Sequence, residues 1–227
     1  MEILEDKNIQ TQEIAVKEKN IVNDKKTVYK AIKRVFDIVF SLIGMVLLSP
    51  VFFIIAVIIK LDSKGPVFFV HSRIGEKGKP IGIYKFRTMV NNAEDLIKSF
   101  TPEQKEEFER SYKLEDDPRI TKVGDFLRKT SLDELPQILN ILKGELSIIG
   151  PRPIVENELE KYGDNKDKFL SVKPGLTGYW QVNGRSNINY EERMNLELYY
   201  VDNQSLLLDV KIFFKTFGTV LKHEGAN

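Results

Sequence analysis

Ser131-Leu132-Asp133-Glu134 sets two carboxylates side by side where a helix is about to begin, and basic residues stand on either side of them in the chain. Arg128 and Lys129 lie one turn upstream, Arg152 sits in a Gly-Pro-Arg-Pro corner downstream, and Lys85 and Arg87 belong to an earlier β-type segment. A carboxylate at a helix N-terminus is held ionised by the dipole and by free backbone donors. In that state it suits attack on phosphorus or ligation of Mg²⁺. Fixed guanidinium groups match phosphate oxygens bidentately, and phosphoryl transfer asks mainly for positioning and charge neutralisation. A plainer explanation competes. Ser131 and Glu134 fit an S-x-x-E capping box, or Asp133 is the cap and Pro136 falls in the first turn, where its missing N–H costs nothing. Each basic residue taken singly reads as a surface charge; the set together predicts phosphoryl chemistry.

Composition narrows the chemistry further. In 227 residues, 34 Lys and Arg nearly cancel 33 Asp and Glu, leaving +1, which argues against a nucleic-acid binder that relies on many phosphate contacts. There is no cysteine, so disulfides, thiolate metal sites and cysteine nucleophiles are excluded. His71 and His223 are the only histidines, so a multi-histidine metal site is excluded as well. Carboxylates, hydroxyls, Lys, Arg and an oxygen-bound metal remain.

The elements that must position these residues begin with an apolar run, Ile38 to Ile59, that carries Ser49-Pro50 near its middle. Its 22 residues would make a helix of about 33 Å against a hydrocarbon core of roughly 30 Å. The run starts too far in, and is too long, for an ordinary signal peptide. It reads as a permanent membrane element rather than a buried hairpin of a soluble core. Pro50 removes a backbone donor, and the Ser49 hydroxyl is placed to serve the carbonyl that loses its partner. Two arrangements fit: a kinked spanning helix, or a helix–break–helix that re-enters on the same side. Lys30, Lys33 and Arg34 precede the run, and Lys60, Lys64, Arg73, Lys77 and Lys79 follow it. Positive charge at both ends favours re-entry, with Arg34 and Asp37 near the interface.

The expected organisation is a polar tail over residues 1–29, mobile or dependent on a partner, a re-entrant membrane helix over 30–64, and a catalytic domain over 65–227. The fold class is α+β and predominantly helical. Short β segments are expected at Val67–His71 and Ile81–Phe86, and a charged helix or lid between Asn92 and Asp117. A short helix should end near Arg128 and another at Lys143, with Gly144 at its C′ position, before a strand-like "LSII". "SVKPGLTGYWQVNGRS", with the only tryptophan, Trp180, reads as a loop. Two closing helices should meet near Asp202-Asn203-Gln204. In the second, Leu207, Val210, Phe213, Phe214 and Phe217 recur at helical spacing among lysines, which suits either an interfacial helix or a packed core helix.

Four successive segments, "YKFRTM", "DPRITKVGDFLRKTSLDELPQILNILKGELSIIGPRP", "VKPGLTGYWQVNGR" and "YYVDNQSLLLDVKI", resemble the signatures of the bacterial sugar transferases, the monotopic polyprenyl-phosphate phosphoglycosyl transferases. The resemblance covers roughly Lys33 to Lys222 and is to the short form, without the large multi-span region of longer relatives. It implies transfer of a sugar 1-phosphate from a UDP-sugar to undecaprenyl phosphate, with release of UMP and a requirement for Mg²⁺. It implies that Asp133 becomes a covalent phosphosugar-aspartate, that Glu134 assists, and that Arg128 and Arg152 bind phosphate. Asp133 and Glu134 are then also the expected metal ligands. Ser49 and Pro50 would mark the break of the re-entrant helix, placing the enzyme on the cytoplasmic face of the bacterial inner membrane. Asn183 and Arg185 are candidates for substrate contact, with loop hydrogen bonding as the alternative.

The chain departs from the family pattern at Gly144-Glu145-Leu146-Ser147, at Asp125 where a basic residue is common, and at "GYWQVNGR", where the tryptophan is shifted by one place. Neither of the first two touches the expected chemistry. A non-catalytic membrane scaffold would make Asp133 dispensable, and an ordinary glycosyltransferase would release UDP instead of UMP. The hydrophobic segments leave room for a homodimer.

Overall fold

The computed structural model describes residues 2–111, 114, 116–184 and 188–221. No proline and only one glycine, Gly44, occurs before Pro50, so nothing in the covalent structure stops a helix from forming early. A single helix, α1, accordingly runs from Glu2 to Asp62. Over the stretch expected as a polar tail the chain is helical from Glu2 and continuous with the apolar run.

At Ser49-Pro50, where a helix–break–helix was one of the two arrangements open, the chain stays helical through Pro50. The local chemistry explains how. Pro50 cannot donate to the carbonyl of Val46, and the Ser49 hydroxyl donates to that same oxygen at 2.8 Å. The acceptor vacated by the proline is thus refilled from the neighbouring side chain.

One stripe of α1 faces the rest of the protein along its length. Asp37, Ser41, Ile55 and Ile59 are buried, at the 3.6-residue spacing of a single helix face. Asp37 accepts hydrogen bonds from Ser147 Oγ (3.0 Å) and the Ile148 amide (2.9 Å). Ile55 and Ile59 pack with Phe86 and Leu127. The opposite face is apolar and bare, with Val46, Leu47 and Phe53 each more than 70% exposed.

After α1, β1 (Phe68–Ile74) and β2 (Pro80–Phe86) form an antiparallel hairpin in which Phe69 pairs with Lys85 and His71 with Ile83. Two short helices follow, α2 (Ala93–Lys98) and α3 (Pro102–Ser111), then α4 (Lys122–Lys129). A tight helical turn over Leu132–Gln137 leads directly into α5 (Ile138–Lys143), which ends on Gly144 at φ +82°, the left-handed C′ position expected from the sequence. Next come β3 (Ser147–Ile149), α6 (Glu156–Leu159), α7 (Lys166–Leu170), β4 (Gly175–Thr177), α8 (Tyr179–Asn183), α9 (Tyr190–Asn203) and α10 (Leu206–Leu221).

The segment read as one loop thus contains a strand and a helix. β4 pairs in parallel with β3, Ser147 opposite Gly175 and Ile149 opposite Thr177, a contact between remote segments that no local pattern announces. α9 opens with a capping box between Asn189 and Glu192. α10 touches α1 through the Phe40 and Phe213 rings, 5.5 Å apart. Its Leu207, Val210, Phe214 and Phe217 are exposed, while Ile212 is buried against Ile149, Val182 and Tyr200. The helical spacing therefore serves both expectations, one face packed and the other bare.

Candidate active site

α4 begins at Thr121, whose hydroxyl caps it by accepting the Gly124 amide at 2.9 Å. Gly124 presses on Thr88, and a Cβ added there would lie 2.0 Å from the Thr88 carbonyl oxygen. This close approach lets Arg128, further along the same helix, donate through Nε to Thr88 Oγ1 at 2.9 Å. The chain then reverses at Ser131, which takes the left-handed conformation (φ +56°, ψ 16°) and makes no side-chain cap. An N-cap needs extended backbone, so the expected capping box does not form. Asp133 and Glu134 are consequently not occupied in capping, and the structural explanation for them is withdrawn.

Both carboxylates meet one lysine. Lys85 Nζ lies 2.7 Å from Glu134 Oε1 and 3.5 Å from Asp133 Oδ2. The strand bearing Lys85 is fixed by Asn140, which has no exposed surface. Asn140 accepts the Tyr84 amide at 2.9 Å and donates to Gly82 O and Glu145 Oε2, each at 2.6 Å. Burial pushes the Asp133 carboxyl above the ordinary aspartate range; Lys85 and Arg128 pull it back, while the Glu134 charge adds to the rise. A carboxylate stripped of water but kept ionised by fixed cations retains its lone pairs for an incoming electrophile.

Arg152 projects from a corner that allows no play. Gly150 meets the 174–178 segment so closely that a Cβ on Gly150 would be 2.5 Å from Lys173 O, and one on Gly175 would be 2.1 Å from Gly150 N. The Arg152 amide donates to Glu197 at 3.1 Å, and Glu197, almost wholly buried, also receives the Tyr162 hydroxyl. Burial pushes Glu197 up, against the Tyr162 hydrogen bond and the Arg193 charge.

Two residues that the sequence reading had not picked for the site join Arg152 there. His71 and Arg73 share the face of β1 that carries Phe69, the cross-strand partner of Lys85. The signal was present in the period of two along the strand, but it needed the hairpin register to be read. Arg73 Nη2 approaches His71 Nδ1 at 3.4 Å. Burial, followed by the charges of Arg73, Lys85 and Arg152, lowers the His71 pKa to about 4, so the ring is neutral near pH 7.

Other expected site residues lie elsewhere. Arg87 is buried, and its guanidinium is consumed by the end of α1. Nε donates to Pro66 O (2.6 Å), one terminal nitrogen to Ser63 Oγ (2.6 Å), and the other to Ser63 O (2.9 Å). It is a helix C-terminal clamp whose two remaining N–H groups reach Met89 O at 3.4 Å and Ile59 O at 3.5 Å. Asn183 donates to Tyr179 O and accepts from Lys215 Nζ at 2.6 Å, tying α8 to α10. Arg185 lies outside the described residues. The Trp180 ring lies 5.6 Å from the Arg193 guanidinium.

No group of three or more metal-ligating side chains converges among the described residues. Asp133 and Glu134 nevertheless fit the usual Mg²⁺ mode, in which one or two carboxylates hold the ion together with substrate phosphate oxygens. Glu134, with 37% of its side chain exposed against 11% for Asp133, is the more accessible of the two carboxylates.

Residues 28–223 match the model of the bacterial sugar transferase family. An exopolysaccharide production protein, ExoY, of Sinorhizobium fredii is 44% identical over 197 residues, 86% of this chain and 87% of the relative. The undecaprenyl-phosphate galactose phosphotransferase of Salmonella typhimurium is 46% identical over 198 residues, 86% of this chain but 41% of the relative. The UDP-glucose:undecaprenyl-phosphate glucose-1-phosphate transferase of Escherichia coli is 40% identical over 197 residues, 83% of this chain and 40% of the relative. The chain thus spans about two-fifths of the length of these two longer relatives. The family match and these relatives show that the chain belongs to the bacterial sugar transferase family.

Proposed function

We propose that the protein transfers a sugar 1-phosphate from a UDP-sugar to undecaprenyl phosphate and releases UMP. The observation that carries this reading is the Asp133–Glu134 pair, freed from capping and gathered on Lys85 at 3.5 and 2.7 Å. An Asp133 carboxylate oxygen attacks the β-phosphorus. The bond from that phosphorus to the bridging oxygen breaks, and its electron pair leaves on UMP. An oxygen of the lipid phosphate then attacks the same phosphorus and expels Asp133 as a free carboxylate, so no net proton transfer is needed. Arg128 neutralises phosphate charge from the α4 side and Arg152 from the opposite corner. Mg²⁺, held by Asp133 and Glu134 with substrate oxygens, would supply further charge neutralisation.

The protein works from one face of the membrane, which we assign to the cytoplasmic face of the bacterial inner membrane. The support lies at the two flanks of the apolar run. Before it, Arg34 donates to Ile141 O and Leu142 O; after it, Lys60 donates to Gly65 O and Ser63 binds Arg87. Both flanks contact the same polar domain, which supports an arrangement on one side of the bilayer over a crossing helix. The bare faces of α1 and α10 lie against lipid, bringing the acceptor phosphate to the level of the acidic pair.

The test is incubation of detergent-solubilised protein with undecaprenyl phosphate, Mg²⁺ and a panel of UDP-sugars, with UMP and UDP assayed separately and Asp133→Asn alongside. UMP formed by the wild type alone is the expected result. UDP in place of UMP, or UMP release that survives the substitution, overturns the proposed chemistry.

A further inference from the structure

Ile74 N donates to Ile154 O at 2.8 Å, which brings the end of β1, and Arg73 with it, up to the corner that carries Arg152. The Arg152 charge acts on Arg73, whose guanidinium is largely withdrawn from water. Neither guanidinium forms an ion pair with a carboxylate among the described residues. The nearby acids are engaged elsewhere: Glu158 faces Arg193 at 3.8 Å, Glu197 holds Tyr162 and the Arg152 amide, and Glu134 holds Lys85. Two like charges brought together out of water are costly unless an anion joins them. His71 stands on the same strand face, one alternate position (about 7 Å) from the level of Lys85. Arg73 leans back along the strand toward it, Nη2 to Nδ1 at 3.4 Å. A donor at Nδ1 leaves Nε2 as the N–H of the neutral ring, free to donate in turn.

We propose that Arg73, with Arg152 and His71, forms an anion subsite beside the acidic pair that takes the phosphate leaving with the nucleotide. The inference rests on the transferase reading above and adds to it the groups that receive the departing charge. As Asp133 attacks, the electron pair of the breaking bond settles on the bridging oxygen, which becomes a terminal oxygen of the monophosphate. Two forked guanidinium groups and a neutral N–H donor suit that growing charge, and none has a carboxylate to abandon first.

The experiment uses the detergent-solubilised full chain and inorganic pyrophosphate as probe, with KCl at equal ionic strength as reference. Affinity is read by calorimetry and by the shift in melting temperature. Arg73→Gln is expected to weaken pyrophosphate binding by about tenfold or more, the loss of one charged hydrogen-bonding group. Arg73→Lys, which keeps the charge and loses the fork, should fall between the two and serves if the glutamine variant does not fold. Pyrophosphate bound equally by wild type and both variants, or bound by the wild type no better than chloride, overturns the subsite. UMP release in the same preparations separates the two readings. A wild type that binds pyrophosphate through Arg73 but releases no UMP keeps the subsite and sinks the transferase. UMP release with unchanged donor KM and pyrophosphate affinity in Arg73→Gln does the reverse.

Discussion

Two lysine–aspartate pairs in this molecule have almost the same ingredients and opposite characters. Lys33 and Asp209 meet at 2.7 Å where α1 crosses α9 and α10, and Asp209 also receives the hydroxyls of Tyr29 (2.9 Å) and Tyr200 (2.7 Å). Three donors thus occupy most of the roughly four lone-pair sites of that carboxylate. Lys85 and Asp133 stand 3.5 Å apart, and the lysine is closer to Glu134. Both aspartate side chains are 11% exposed, so burial does not tell the pairs apart. Saturation does: a carboxylate with three donors is a fastening, whereas one with a single shared partner still has lone pairs for chemistry.

The comparison breaks first on activity. Asp133→Asn should lower UMP release on the order of 10³-fold or more, with the fold intact by circular dichroism. If that variant turned over normally, the open carboxylate would be no more chemical than the closed one. Asp209→Ala should show the opposite profile. It leaves the buried Lys33 without its counter-charge, which costs about 3–5 kcal/mol in chemical denaturation, while activity per folded molecule is retained. Lys33→Met combined with Asp209→Leu should recover part of that loss, the two tyrosine hydroxyls remaining as the residual cost.

Arg87 sharpens the contrast from the side of the cations. Arg87→Gln should destabilise by about 2–3 kcal/mol, through lost charged hydrogen bonds at the end of α1, with the donor KM of the folded fraction unchanged. A raised KM without destabilisation would return Arg87 to the substrate. The smallest effect is a pH dependence. A carboxyl whose pKa is higher in the folded state than in the unfolded state loses stability as pH rises through the interval between the two, and no more above it. In EDTA at pH 7, Asp133→Asn should therefore melt slightly above the wild type, with the gap closing toward pH 4. A wild type that is the more stable at pH 7 would contradict the burial of Asp133 as the dominant cause.

Sequence patterns reached the local features and missed those that depend on a distant partner. The β1–β2 hairpin, the Gly144 helix end and the junction of α9 with α10 follow from turn residues and periodicity a few positions apart. The acidic pair and Lys85 were legible for the same reason, as charged types standing out from their surroundings. Residue type does not reveal partners, and only the fold shows that Ser63 and Pro66 take donors of Arg87. Arg73 and His71 were passed over because their face is set by a register with β2. Ser131 misled because its left-handed backbone, invisible in the sequence, cancels the capping that its side chain suggests. At Pro50 a hydroxyl one residue away satisfies the acceptor that the ring leaves open, which residue type alone does not fix.

The corner at Gly150 has a consequence for how such a protein changes over time. With a Cβ on Gly150, Gly175 or Gly178 falling 2.1–2.5 Å from backbone atoms of the facing segment, no single substitution there is a small step. Arg152 is thereby denied the gradual drift open to a side chain on a yielding loop. Novelty in which sugar is accepted must then be written on surfaces with volume to spare, around an anchor that stays where it is.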